Sequence, residues 1–210
     1  MTPEDFVRQF KADRASAILR TTDQQAARQA MNAAVRGGFR IVEFTLSIPG
    51  TFELVEEFAA QDGLVVGVGT VLTVEDAGKA VRAGAKFLVS PVVDEAVIDE
   101  AASLGVAMMP GCSTPTEMLR AHRAGASLQK LFPEQGIGPA WVKQTLGPLP
   151  FLNIVPTSGV TLENAAAYLR AGAVAVGFVN SLFDAEDIAA ERWKAIEDRA
   201  AQMLRTVRER

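Results

Sequence analysis

The chain has 210 residues but only one cysteine, one histidine and one tyrosine. With Cys112 alone no internal disulfide can form, and a reducing compartment suits the chain. His122 cannot supply a histidine-cysteine zinc cluster, and it makes a Ser-His-Asp triad a poor expectation. It lies in the polar stretch Leu119-Arg-Ala-His-Arg-Ala124 and reads as a solvated helix residue. Long apolar runs are missing too: none approaches the roughly 18 residues that a membrane helix needs. The start, Met1-Thr-Pro-Glu-Asp-Phe6, has no basic segment followed by an apolar run, so no signal peptide is expected and a cytoplasmic location is. Nor is there a surplus of positive charge. Lys and Arg number 21 against 25 Asp and Glu, a net charge of −4, which argues against general nucleic-acid binding. Any chemistry must come from Lys, Glu, Asp, Ser, Thr or backbone groups.

What the sequence does have is a repeated unit. Hydrophobic residues make up 49% and charged residues 22%, the balance of a globular chain. Short apolar runs recur at Ala17–Arg20, Ile41–Leu46, Leu64–Gly69, Phe87–Ser90, Val106–Met109, Leu128–Phe132, Leu152–Val155 and Val174–Gly177. Runs of this length suit strands buried on both faces, as in a parallel sheet. Amphipathic stretches lie between them, including Asp23–Val35, Phe52–Ala60 and Val74–Ala83. Thr73, Thr114 and Thr161 are candidate N-caps, and Thr114-Pro-Thr-Glu117 carries the strongest cap pattern. Gly37-Gly38, Gly84, Gly105, Gly125 and Gly172 stand where helices should stop.

Strand runs alternating with helices predict an α/β (β/α)8 TIM barrel spanning residues 1–210 as a single domain. An extra N-terminal helix, Pro3–Ala12, is expected to close its bottom, and Ala185–Arg210 reads as the eighth helix with its extension. An open doubly wound sheet is the alternative. It would normally carry a phosphate-binding glycine turn after its first strand, where this chain has Leu19-Arg20-Thr21-Thr22.

Two charges interrupt the apolar strand runs, Glu43 in the second and Lys130 in the sixth. A charge there is costly unless paired or used. Both strands are even-numbered, and alternate barrel strands share an interior layer, so the two can face each other across the lumen. A structural ion pair would use the same residues. A desolvated lysine, however, has a lowered pKa and a nucleophilic amine, and a neighbouring carboxyl can move protons for it.

Glu43-Phe-Thr45, Gly67-Val-Gly-Thr-Val71, Ser90-Pro91, Met109-Pro-Gly111, Lys130-Leu-Phe-Pro133 and Val155-Pro-Thr157 follow one another at strand ends. Together they resemble the 2-keto-3-deoxy-6-phosphogluconate (KDPG) aldolase family, which includes 2-keto-4-hydroxyglutarate (KHG) aldolases, from about Ala17 to Phe183. The resemblance implies a homotrimeric barrel that cleaves a small-molecule 2-keto-4-hydroxy acid to pyruvate and an aldehyde through a lysine imine, with no metal or other cofactor. It implies that Lys130 forms the imine, Glu43 transfers protons and Thr70 binds the pyruvyl carboxylate. Phe132 and Pro133 wall the lysine, Pro91 adds a substrate contact, and Arg20 is the candidate anion clamp, suited by its guanidinium fork. A surface ion pair is the plainer reading of Arg20.

The distal loops depart from the family pattern. Members that take phosphorylated sugars show consecutive glycines after the Pro-Thr of the seventh strand and Gly-Ser after the eighth. Here stand Thr157-Ser158-Gly159 and Val179-Asn180. Ser158 and Val179 add side chains where backbone could approach a phosphate, so a smaller or unphosphorylated aldehyde portion gains weight. Thr157, Ser158, Gly159 and Asn180 are the expected distal contacts, with Ser181 a further donor. The substrate readings are KDPG, its galactonate epimer or a short keto acid. Against these stands a non-catalytic trimeric barrel whose distal site has drifted. A phosphate-binding isomerase would want a histidine electrophile that the sequence lacks.

Overall fold

The computed structural model describes residues 1–209. Helix α1 (Pro3–Asp13) begins at Thr2, whose hydroxyl accepts from the Asp5 N–H while the Asp5 carboxylate accepts from the Thr2 N–H. Then come β1 (Ala15–Leu19), α2 (Gln24–Arg36), β2 (Ile41–Thr45), α3 (Thr51–Ala59), β3 (Val65–Gly69), α4 (Val74–Arg82), β4 (Phe87–Ser90), α5 (Glu95–Ser103) and β5 (Ala107–Cys112). They continue as α6 (Pro115–Arg123), β6 (Gln129–Leu131), α7 (Pro139–Leu146), β7 (Ile154–Pro156), α8 (Ala165–Arg170), β8 (Val176–Phe178), α9 (Ala185–Ala189) and α10 (Trp193–Arg208). The predicted strand runs meet the observed strands within three residues at either end.

All strand pairs are parallel, in the order β7-β6-β5-β4-β3-β2-β1-β8. Among the described residues the remaining gap, between β7 and β8, is crossed by one backbone bond, from the Val174 N–H to the Ile154 carbonyl at 3.0 Å. The sheet is thus a (β/α)8 barrel, nearly closed.

Alternate strand residues point inward, and their character changes along the axis. The lower lumen is apolar: Ile41, Val65, Phe87, Ala107, Leu128, Val155 and Ala175 meet there. Phe6 and Phe10 of α1 enter it from below, both fully buried, and the Phe6 ring stacks on Phe87 at a centroid separation of 4.5 Å. Burying each phenylalanine contributes about 1.5–3 kcal/mol, so the helix is a floor rather than an appendage. Gly67 makes space for this floor, since a Cβ there would overlap the Phe87 ring. Above it, at the C-terminal ends of the strands, the lining turns polar.

The helix stops follow the glycines: Gly38, Gly84, Gly105, Gly125 and Gly172 all have positive φ. Thr73 and Thr114 cap α4 and α6, Thr114 in a full capping box with Glu117. Thr161 does not cap a helix. Its N–H donates instead to the Asn164 side-chain oxygen at 2.8 Å, a turn fills residues 162–164, and α8 starts only at Ala165. The C-terminal helical segment is also broken, into α9 and α10, and Arg210 of the predicted stretch lies outside the described residues. Glu191 at the break has φ 52°, and the Arg192 N–H returns to the Asp187 carbonyl. The buried Asp187 carboxylate takes Arg192 at 2.5 Å and Arg199 on its other oxygen, which holds the two pieces at their angle.

Candidate active site

Glu43 and Lys130 enter the same cavity, about 640 Å³, at the C-terminal mouth of the barrel. Glu43 is flanked in the sheet by Ile18 and Gly67, and Lys130 by Gly111 and Val155. Glu43 is 1% exposed and Lys130 9%, and no ion pair joins them among the described residues. Burial pushes the Glu43 carboxyl above the usual carboxylate range, with the positive charges of Lys130 and Arg20 pulling the other way. Burial pulls the Lys130 amine below its ordinary range; Glu43 opposes this and Arg20 adds to it. Desolvation leads on both residues, so burial moves each toward its neutral form, an uncharged amine and a protonated carboxyl. That is the state in which an amine attacks a carbonyl and an acid stands ready to protonate the oxygen.

The rest of the wall is now specific. Phe132 places its ring centroid 5.0 Å from Lys130 Nζ and forms the apolar side of the pocket. Glu43 Oε2 and Thr157 Oγ1 are buried and have no hydrogen-bond partner among the described residues, so both remain available to a ligand. Arg20 leaves the end of β1 over the rim, and its Nη2 donates to Thr70 Oγ1 at 3.3 Å. Arginine only donates, so the Thr70 hydroxyl accepts from it and keeps its own hydrogen for another acceptor. Thr70 itself has φ 65°, a conformation that β-branched residues avoid at a cost of about 1–3 kcal/mol. The strain is held at a strand end beside a cationic side chain.

The distal end is made by the loops after β7 and β8. Ser158, Gly159, Val160, Thr161, Val179, Asn180 and Ser181 line it. Gly159 has φ 68°, which its lack of a Cβ permits. Asn164 braces this loop from behind: its amide nitrogen donates to the Gly159 carbonyl at 2.8 Å while its oxygen takes the Thr161 N–H. Ser181 gives its hydrogen to the Val160 carbonyl at 2.7 Å, so its hydroxyl ties the two loops together and is not the free donor expected from sequence.

Of the residues picked from sequence, Lys130, Glu43, Arg20, Phe132, Thr157, Ser158, Gly159 and Asn180 line one cavity. Thr70 stands at its edge through Arg20. Pro91 is not part of the lining. Its carbonyl packs against Gly111, where a Cβ would overlap it, and Gly111 is the register partner of Lys130. Sequence reasoning missed Ile18, Thr45, Val160, Thr161 and the bracing Asn164. It also missed why β3 ends in glycine: a Cβ on Gly69 would overlap the Glu43 carboxylate. The signal for Gly69 was present, as a glycine two residues from Gly67 on the same strand face, and its partner was not.

Comparisons with known proteins bear on the family and the fold. The sequence model of the family described as "Aldolase: KDPG and KHG aldolase" matches residues 7–199. A probable 2-dehydro-3-deoxy-6-phosphogalactonate aldolase of Rhizobium meliloti (strain 1021) is 37% identical over 170 residues, 80% of this chain and 80% of its own length. The 2-dehydro-3-deoxy-6-phosphogalactonate aldolase of Escherichia coli (strain K12) is 33% identical over 172 residues, 80% of this chain and 84% of its own. A solved structure described as native KDPGal superposes with a TM-score of 0.82 at 32% identity, covering 92% of this chain and 94% of that one.

Proposed function

The chain belongs to the KDPG and KHG aldolase family, and on that premise we propose that it is a metal-independent, Schiff-base aldolase releasing pyruvate from a 2-keto-3-deoxy sugar acid. The observation that carries the reading is the buried Lys130 amine, its charge disfavoured, opening on the cavity that also holds the Glu43 carboxyl. In the proposed sequence the neutral Lys130 amine attacks the C2 ketone and Glu43 protonates the resulting hydroxyl, which leaves as water. The protonated imine then draws electrons from the C3–C4 bond as the C4 hydroxyl gives its proton to the Glu43 carboxylate, which can return it to C3. The aldehyde departs, the enamine takes a proton at C3, and water hydrolyses the pyruvyl imine. Arg20 and Thr70 hold the C1 carboxylate, with Phe132 as the apolar wall.

For the distal group we favour a phosphorylated chain, since both compared relatives bear names of 6-phosphogalactonate aldolases. Support comes from the loops after β7 and β8, whose Ser158, Gly159 and Asn180 surround that end with donors and no acidic side chain. The second reading, a shorter unphosphorylated acid, is favoured by Val179, which brings a β-branched side chain into the same lining. The homotrimer is proposed on the exposed apolar side chains Leu72, Val74 and Val92, about half exposed, in the loops after β3 and β4 and at the start of α4. Light scattering would test it.

Reduction with borohydride in the presence of pyruvate, followed by peptide mass mapping, tests the chemistry. The expected product carries the pyruvyl mass on Lys130. Modification of Lys86 or Lys143 instead, or of no lysine in folded protein, would sink the reading.

A further inference from the structure

Two hydroxyls at the end of β2 run in a line toward the root of Arg20. Ser47 Oγ lies 2.7 Å from Thr45 Oγ1, and Thr45 Oγ1 lies 3.2 Å from the Leu19 carbonyl oxygen. A carbonyl can only accept, so the Thr45 hydrogen goes to Leu19, and the Ser47 hydrogen must then go to Thr45. The order is fixed as Ser47 to Thr45 to Leu19. Leu19 is the last residue of β1, and its carbonyl belongs to the same planar peptide as the nitrogen of Arg20. Holding that oxygen holds the plane from which the arginine departs.

The surroundings make this hold matter. Thr45 is buried and lines the active cavity, while Ser47 is exposed. The Thr45 carbonyl in turn accepts from the Ile48 N–H at 3.0 Å and lies 2.9 Å from the Thr51 hydroxyl, which also reaches the Ile48 carbonyl. Arg20, by contrast, is exposed, and among the described residues it makes no ion pair and one side-chain hydrogen bond, to the Thr70 hydroxyl at the long distance of 3.3 Å. A side chain with about 2 kcal/mol of rotamer entropy is therefore steered mainly at its base.

We propose that Thr45, with Ser47 behind it, is a positioning residue that aims the Arg20 guanidinium at the carboxylate of the keto acid. The inference rests on the reading of Arg20 as the carboxylate clamp and Lys130 as the nucleophile. Neither hydroxyl touches the reacting atoms.

The test uses pyruvate as the probe and the concentration dependence of borohydride trapping at Lys130 as the readout, alongside steady-state kcat and KM. Thr45→Val keeps the shape and removes the hydroxyl, and should raise both half-saturating pyruvate and KM about tenfold, the worth of one oriented hydrogen bond, with a smaller effect on kcat. Thr45→Ser should restore half-saturation to near the starting value. Ser47→Ala, at an exposed position, should raise it about twofold to threefold. In an Arg20→Ala background, Thr45→Val should add nothing further. Unchanged half-saturation in Thr45→Val and Ser47→Ala, additivity with Arg20→Ala, or failure of serine to restore it would each overturn the proposal. Absence of trapping in the unmodified protein is a separate result, and it would overturn the lysine assignment instead.

Discussion

The Cα of Gly69 stands so close to the Glu43 carboxylate that a single added methyl group would overlap Oε1. Gly69 sits on β3, beside the strand that carries the glutamate, and its bare face is the space in which the acid rests. Gly69→Ala should therefore leave a folded barrel and displace Glu43. The expected result is a fall in kcat of about 10²-fold or more, the usual worth of a positioned acid/base group, with pyruvate still trapped slowly on Lys130. Wild-type turnover in this variant would show that Glu43 is free to work from another position.

Lys130→Met should abolish cleavage and trapping while retaining or raising the melting temperature, because removing a desolvated amine relieves a burial penalty. Glu43→Gln should slow exchange of the pyruvate methyl protons by about 10²–10⁴-fold. Exchange measured by proton NMR in deuterated buffer checks it, and undiminished exchange would pass the role to another group. EDTA should leave activity unchanged.

Stability should respond to pH through the same glutamate. Its folded pKa lies above the ordinary 4.5, so between 4.5 and the folded value the native state binds more protons than the unfolded one. Stability from this group is accordingly greatest below 4.5 and falls as pH rises through the folded pKa. Urea titrations across that range should show a decline in the unmodified protein that is absent in Glu43→Gln. Parallel curves for the two proteins would contradict the burial argument.

The distal loops set the last kinetic expectation. Ser158 and Val179 crowd the end where an anion would meet backbone donors, so the gain in kcat/KM from a substrate phosphate should stay below about 10³-fold, roughly 4 kcal/mol. Comparing a phosphorylated 2-keto-3-deoxy acid with its unphosphorylated analogue measures this. Ser158→Gly with Val179→Gly should enlarge the preference; no change would mean that the side chains do not limit that end.

On the floor of the barrel, Phe6→Ala should destabilise the protein by about 3–5 kcal/mol, since the ring is fully buried against Phe87 and Phe10. A loss below about 1 kcal/mol by denaturant titration would show that α1 is dispensable.

The barrel and its central pair were legible because both break or keep simple rules. Apolar runs alternating with glycine-stopped helices allow few other architectures, and a glutamate and a lysine inside such runs contradict solvation unless they are used. The supporting residues were not legible, for a physical reason. Gly69, Thr45 and Asn164 act on partners distant in sequence or outside any local pattern, and only the folded register decides which atom each one meets. Thr161 shows the converse error. Its local pattern suits a cap, but residues 162–164 form a turn braced by the Asn164 side chain on the Thr161 N–H, and the helix starts only at Ala165. The break between α9 and α10 was hidden likewise, because the buried Asp187 that fixes it draws its arginines from beyond the bend.

The seam between β7 and β8 has a bearing on how such an enzyme can change. Among the described residues a single backbone bond, from Val174 to Ile154, crosses that seam, and the loops proposed to receive the far end of the substrate follow the two strands that flank it. Glu43 and Lys130 stand on strands bonded to neighbours on both flanks. Insertions and substitutions at the seam are thus expected to alter the choice of aldehyde more readily than the imine chemistry, since they leave the strands that carry Glu43 and Lys130 untouched.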